Sequence, residues 1–270
     1  MANKTLTASA ILAATFLEFY AGTAQAAENR KKAKTPSPGS LQESIEDRQS
    51  SPASSNGQKN AKKSTTPEKR VLLDAWYTIK ANGKTPYAYY NDRIEERGGK
   101  IFFQNHVWKN EEGYINEEQL GAYAQPDENL TPLFYNFHST YRTTETVIDG
   151  TVNEGKHFAA KVRQGERELP VVRRTIPSKT IFAVFFPLWL QSRAATLKIG
   201  ESRSFTTILE DDVSQSFAPI PGRVRAEKPD ERAKKIGARL FSLDYRDGKS
   251  LWWLDSQGVA VRAEMPTQHV

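Results

Sequence analysis

The sequence predicts a mainly β fold with one central helix, on three observations. Turn dipeptides such as Asn82-Gly83 and Asp247-Gly248 recur at short intervals, and they supply the positive φ angles that tight hairpins need. The segments between them are rich in aromatic and β-branched residues, as strands are. One apolar run, residues 181–190, interrupts this pattern. We expect a curved antiparallel sheet, or incomplete barrel, wrapped around a short apolar helix.

The first 26 residues have the three parts of a secretory signal peptide. They are Lys4, an uncharged stretch over residues 5–17, and Ala24-Gln25-Ala26 before a cleavage point. A membrane anchor is the first alternative, but it needs about 20 mostly apolar residues and Glu18 interrupts the run. The second is a buried helix of a cytoplasmic domain, and no core follows it directly in the sequence. We expect export and cleavage after Ala26.

Residues 27–69 are predicted to be a disordered basic linker, rich in Ser, Pro and Lys. Between residues 28 and 69, nine Lys or Arg face five Asp or Glu, so +4 of the net charge of +6 lies here. The segment has no aromatic residue and cannot bury enough apolar surface to offset its ordering entropy. The tail either meets an anionic membrane surface weakly or only keeps the chain soluble. Nucleic acid is not an expected partner, because the remaining domain is nearly balanced in charge.

Residues 70–270 are predicted to form a single β-rich domain. The chain contains no cysteine, which excludes a disulfide framework, a thiolate metal site and a cysteine nucleophile. No cysteine follows the signal to carry a lipid. These properties favour a soluble, unlipidated protein of the bacterial periplasm, with an extracellular location as second choice.

The apolar run is predicted to be a buried helix over residues 178–195. Ser178 is the expected N-cap, and Pro187 is expected to kink or split the helix because proline lacks a backbone donor. An apolar pocket between this helix and the sheet is one interpretation of its aromatic residues. Its lining would be Phe182, Phe185, Trp189 and Trp252, with a lipid, acyl chain or apolar peptide as ligand. The other interpretation is ordinary core packing.

The search for catalytic and metal-binding residues finds no specific motif. The four histidines are dispersed, without the close spacing of a metal site, and we expect no metal and no cofactor. The carboxylate clusters, among them Glu117-Glu118 and Glu210-Asp211-Asp212, are predicted to be solvated turn residues. No nucleophile elbow and no phosphate loop occurs. His138, flanked by Phe137 and Ser139, is the nearest candidate for an enzymatic site.

Four segments together resemble uncharacterised bacterial periplasmic proteins with a lipoprotein-carrier-like (LolA-like) incomplete β-barrel. They are Trp76-Tyr77-Thr78-Ile79, Phe186-Pro187-Leu188-Trp189-Leu190, Lys198-Ile199-Gly200-Glu201 and the closing hairpin over residues 251–258. The resemblance implies a fold, and no carrier-specific residue transfers to this chain.

Three functional hypotheses follow from the sequence. The first is an exported periplasmic binding or envelope-associated module that holds an apolar ligand. The second is a periplasmic hydrolase-type enzyme with a site near His138. The third is a purely structural or protein-interaction domain whose interior is filled by its own side chains and which acts through its outer surface.

Overall fold

The computed structural model describes residues 69–81, 85–111, 113–212, 216–246 and 248–264, and strands make up most of these residues. The predicted signal peptide and nearly all of the predicted linker lie outside these residues, as do the turn positions 82–84 and 247. Both segments stay predictions.

A large sheet contains the first nine strands in the order β1 to β8, and β9 pairs with β7. Its strands are β1 (Arg70–Ala81), β2 (Thr85–Arg97), β3 (Lys100–Glu111), β4 (Tyr114–Ala124), β5 (Pro132–Tyr141), β6 (Thr144–Asn153), β7 (His157–Gln164), β8 (Arg167–Glu168) and β9 (Val172–Thr175). Every strand pair in it is antiparallel. Because side chains alternate along a strand, Tyr77 and Tyr90 are buried while their neighbours Trp76 and Tyr89 are exposed.

A small sheet contains the other six strands in chain order. They are β10 (Thr180–Phe182), β11 (Ser202–Ile208), β12 (Ile220–Glu227), β13 (Arg239–Tyr245), β14 (Gly248–Leu254) and β15 (Ala260–Glu264). The pairs from β11 to β15 are antiparallel, whereas β10 and β11 run parallel. A parallel pair cannot be joined by a tight turn, so a longer connection must run between these two strands.

The apolar run begins in β10 with Ile181 and Phe182, and the rest of it lies in that connection and forms two short helices. A 3-10 helix, Ala183–Phe185, leads directly into α1, Phe186–Ala194. Pro187 lies in the first turn of α1, where its missing N–H costs no hydrogen bond. The segment is divided beside Pro187, in agreement with the predicted kink or split. The predicted helix bounds of 178–195 and the predicted N-cap at Ser178 are wrong, because residues 180–182 form β10 and the N-cap of α1 is Phe185, which makes no side-chain capping bond.

The same segment packs against both sheets. Phe182 meets Tyr135 of β5 edge to face, with ring centroids 5.1 Å apart. On the other side, Phe186 lies 4.7 Å from Phe205 of β11 and 5.5 Å from Trp252 of β14. These contacts belong to one hydrophobic core. The predicted fold class is confirmed: antiparallel sheets that do not close into a barrel surround a short apolar helix. The sequence predicted one sheet, whereas the structure contains two.

A second helix, α2 (Glu231–Ile236), was not anticipated from the sequence. Asp230 is its N-cap, and its Oδ1 accepts hydrogen bonds from the backbone N–H of Ala233 at 2.6 Å and from Trp253 Nε1 at 3.1 Å. The helix ends at Gly237, whose φ of 66° is the left-handed conformation favoured at a C-cap.

Two glycines on the inner faces of the sheets lie under aromatic rings. Gly150 is the register partner of Tyr135, and a Cβ on Gly150 would lie 1.9 Å from that ring. Gly222 is the register partner of Phe205, with a corresponding distance of 2.2 Å. Each glycine lets a large ring lie flat across the neighbouring strand, a pairing known to stabilise sheets.

Candidate functional site

The four predicted ligand-binding residues all lie in the core between the sheets. Their exposures are 0% for Phe182, Phe185 and Trp252 and 7% for Trp189. Their nearest rings are other aromatic side chains of the core, for example Phe205 at 5.4 Å from Trp189. An apolar ligand would have to replace such contacts, and ligand binding by these residues stays a prediction.

A polar group of side chains lies on the inner face of the large sheet. Lys109 of β3 is 3% exposed and forms an ion pair with Glu118 of β4. Nearby, Asn105 donates a 2.5 Å hydrogen bond to Oδ1 of Asp92, which is also 3% exposed. Buried charges are tolerated when they are paired and hydrogen-bonded, and these pairs meet that condition.

The turn after β11 places two more carboxyl groups in the interior. Glu210 is 2% exposed, and its Oε1 accepts a 3.1 Å hydrogen bond from the backbone N–H of Val184. Burial raises the pKa of Glu210 to about 8. Burial and the nearby Glu118 carboxylate raise the pKa of Asp211 to about 7, although the residue as a whole is partly exposed.

The expectation that Glu210 is a solvated turn residue is therefore wrong, and Glu118 lies within a strand rather than a turn. One local signal could have indicated the burial of Glu210. Ile208 and Leu209 precede it directly, so the chain enters the turn from the core.

Two tyrosine hydroxyls complete this buried polar group. Tyr90 and Tyr135 are 1% and 0% exposed, and within the described residues neither hydroxyl has a hydrogen-bond partner. Burial, followed by the carboxyl groups of residues 210–212, raises the pKa of Tyr135 well above its usual range.

The outer face of the large sheet carries an aromatic surface, formed by the exposed Trp76 and Tyr89 and the partly buried Trp108. The rings of Trp76 and Trp108 are stacked across β2, 5.7 Å apart with an interplanar angle of 10°. Tyr89 is the register partner of Trp108. Trp76 is 62% exposed and Tyr89 is 52% exposed. Single exposed aromatics are common, whereas large contiguous apolar patches are typical of interaction sites.

Hydrogen-bonding side chains border the aromatic surface. The ring of His106 lies 3.7 Å from that of Trp108, and its Nε2 is hydrogen-bonded to Glu117. Arg93 and Asp74 form an ion pair at 3.0 Å on the same face. The charges here are matched, so the aromatic surface has polar neighbours without a strong net charge.

His138 is also on the outer face, in a partly exposed cluster. Its Nε2 lies 2.8 Å from Glu145 Oε1, and Arg163 Nη1 donates to Glu145 Oε2 at 2.9 Å. Hydrogen bonds from Arg163 and His138 lower the pKa of Glu145. The cluster is a charge network that orients the imidazole. Among the described residues no group of three or more His, Asp or Glu is placed to hold a metal ion, and the enzymatic hypothesis stays a prediction.

The molecule is thus a mainly β protein with two antiparallel sheets that do not close. Within the described ranges no helix has the length and apolar character needed to span a membrane. No protein-family model matches the chain, and none of the curated proteins does.

Two solved structures are similar to it. One is a β-barrel-like protein of the domain of unknown function DUF1849 from Brucella abortus, with a TM-score of 0.45, 10% identity, and coverage of 73% of this chain and 90% of that one. The other is a DUF1089 family protein from Pseudomonas aeruginosa, with a TM-score of 0.39, 16% identity, and coverage of 71% and 96%. The likeness concerns the fold alone. The LolA-like resemblance is not confirmed.

Proposed function

We propose that this chain is an exported binding module of the bacterial periplasm that recognises a carbohydrate chain of the envelope through its aromatic surface. The observation that carries the proposal is the stacking of the exposed Trp76 on the partly buried Trp108, beside the exposed Tyr89. The third sequence hypothesis, action through the outer surface, agrees with it best. The residues predicted to hold an apolar ligand contact other aromatic side chains of the core, among them Tyr135, Phe186 and Phe205, and ligand binding by them stays a prediction.

The chemistry of a sugar ring matches this surface. Sugar rings present C–H groups on their faces, and these groups favour the electron-rich faces of indole rings. Their hydroxyl groups need hydrogen-bond partners, which Asn91, His106 and Glu117 offer beside the rings. Because Arg93 and Asp74 form an ion pair beside the rings, a neutral glycan fits better than a strongly charged partner.

The test is calorimetry of the mature chain with N-acetylglucosamine oligomers, together with co-sedimentation on purified peptidoglycan. We expect binding that Trp76→Ala and Trp108→Ala each weaken by about tenfold or more, as buried tryptophans at interfaces do. Tyr114→Ala is the matched control, because Tyr114 is 52% exposed on β4 but lies outside the aromatic surface.

Glycan binding that survives both tryptophan variants would contradict the proposal. A chain that binds neither the N-acetylglucosamine oligomers nor the peptidoglycan would contradict it as well. Titration with a fluorescent fatty acid tests the interior instead. A fatty-acid response lost in Trp189→Ala but kept in Trp76→Ala would support the apolar-ligand hypothesis in place of this one.

A further inference from the structure

The outer face of the small sheet carries two exposed arginines on one strand. Along β12, Val224 and Ala226 are buried, whereas Arg223 and Arg225 are exposed on the opposite side. The register with β11 places Ser204 opposite Arg223 and Ser202 opposite Arg225. Two guanidinium groups and two hydroxyl groups therefore share one patch, which we call the basic face.

Neither guanidinium of the basic face is used in the fold. In the part of the chain that the structure describes, Arg223 and Arg225 form no hydrogen bond and no ion pair. By contrast, Arg232 and Arg262 both pair with Glu264 at the edge of the same sheet. Unpaired arginines offer planar, bidentate donors to an external anion.

The charges on the next strands do not cancel the two arginines. Asp244 of β13 is the register partner of Arg223, and Lys249 of β14 is the register partner of Asp244. Asp244 and Lys249 offset one another in charge. Glu227 follows Arg225 on the same side of β12 and accepts a 2.6 Å hydrogen bond from Ser242, so it offsets one of the two arginines and the basic face keeps a net charge of +1.

An apolar side chain projects beside this charge. In the turn before β11, Ile199 is 58% exposed. The turn is fixed to β12 because the N–H of Gly200 donates to the carbonyl of Ala226 at 2.8 Å and the N–H of Ala226 donates to Glu201 at 3.0 Å. Ile199 is thereby held near Arg225, with the charged Lys198 next to it.

We propose that the basic face, with Ile199 and Lys198, is a docking surface for the phosphate headgroups of an anionic lipid membrane. The guanidinium and hydroxyl groups bind phosphate oxygens, and Ile199 enters the boundary between headgroups and acyl chains. Basic residues around an apolar side chain are the usual composition of a membrane-surface contact. The side chains are exposed on an open strand face, which suits a surface with many phosphates better than one small anion.

The test is co-sedimentation of the mature chain with phosphatidylcholine vesicles, with and without about 30% phosphatidylglycerol, at low and at physiological salt. We expect binding to the anionic vesicles only, weakened by salt through screening. Arg223→Gln/Arg225→Gln should raise the lipid concentration needed for half-maximal binding by about tenfold or more. The reason is that each Lys or Arg near an anionic membrane surface contributes to the free energy of binding. Ile199→Ser should weaken binding by a smaller factor.

The matched control is Arg167→Gln/Arg173→Gln, which removes the same charge from the edge of the large sheet, where both residues are exposed. This control separates the basic face from general electrostatic attraction, including that of the basic linker. Equal losses in both double variants, or none in either, would overturn the proposal. Complete competition by inorganic phosphate, but not by chloride at equal ionic strength, would assign the site to free phosphate and overturn the membrane assignment.

Discussion

The large and small sheets differ in which of their tryptophan and cationic side chains they expose. The large sheet exposes Trp76 and buries the charged Lys109, whereas the small sheet buries Trp252 and exposes Arg225. In both sheets, successive side chains along a strand point to opposite faces. The difference shows that alternation determines which residues share a face, while the partners available inside determine which face is buried. Lys109 is accommodated in the interior by Glu118, and Arg225 has no such partner.

The largest expected effect on the free energy of unfolding distinguishes a buried tryptophan from an exposed one. Trp252→Ala should lower the free energy of unfolding by about 3–5 kcal/mol, because it removes a fully buried ring from the core. Trp76→Ala should change the same quantity by less than about 0.5 kcal/mol, because its ring is mostly exposed. Urea unfolding followed by circular dichroism measures both. Similar losses in the two variants would show that the aromatic surface is part of the stabilising core.

The next effect concerns the glycines under aromatic rings, where the two sheets should behave alike. Gly150→Ala and Gly222→Ala should each cost about 1–3 kcal/mol, because the added Cβ would overlap the ring of Tyr135 or Phe205. Gly121→Ala is the control, since the nearest side-chain atom, in Phe102, would be 3.7 Å away. Urea unfolding of the three variants gives the comparison, and a Gly121→Ala loss as large as the others would remove the packing explanation.

The third effect is a change in the slope of stability with pH, which is at most about 1.4 kcal/mol for each pH unit and is specific to the buried carboxyl groups. The folded pKa of Glu210, about 8, is above the ordinary value of 4.5, so the unfolded chain gives up this proton first as the pH rises. Stability should therefore fall between about pH 4.5 and 8 and level off above that range. Glu210→Gln keeps an acceptor for the N–H of Val184 and should flatten the fall by up to about 1.4 kcal/mol per pH unit.

The measurement is urea unfolding at intervals between pH 5 and pH 8. Glu145→Gln is the control, because Arg163 and His138 lower the pKa of Glu145 and its contribution is lost only at acidic pH. An unchanged slope in Glu210→Gln would mean that Glu210 is ionised in the folded protein at pH 7.

Local signals explain what the sequence could predict. Turn residues and alternation indicate most strands, and the apolar run indicates the central helix, because both patterns depend on neighbouring residues. The division into two sheets has no such signal, since it depends on the parallel pair of β10 and β11. In the pair Trp76-Tyr77 both residues are aromatic, so the sequence could not show which one faces outward. The burial of Glu210 likewise depends on residues distant in sequence.

The parallel strand β10 has a consequence for the order in which the chain folds. Antiparallel neighbours in both sheets meet across short connections, so their loop-closure entropy is small. β10 can join β11 only after the chain over residues 183–201 has closed, and Phe182 on β10 then contacts Tyr135 of the large sheet. We expect the hairpins to form early and β10 to dock late. The two sheets would then acquire their shared core in one cooperative step, and a nascent chain that has not yet emerged past residue 182 would leave the inner face of the large sheet uncovered.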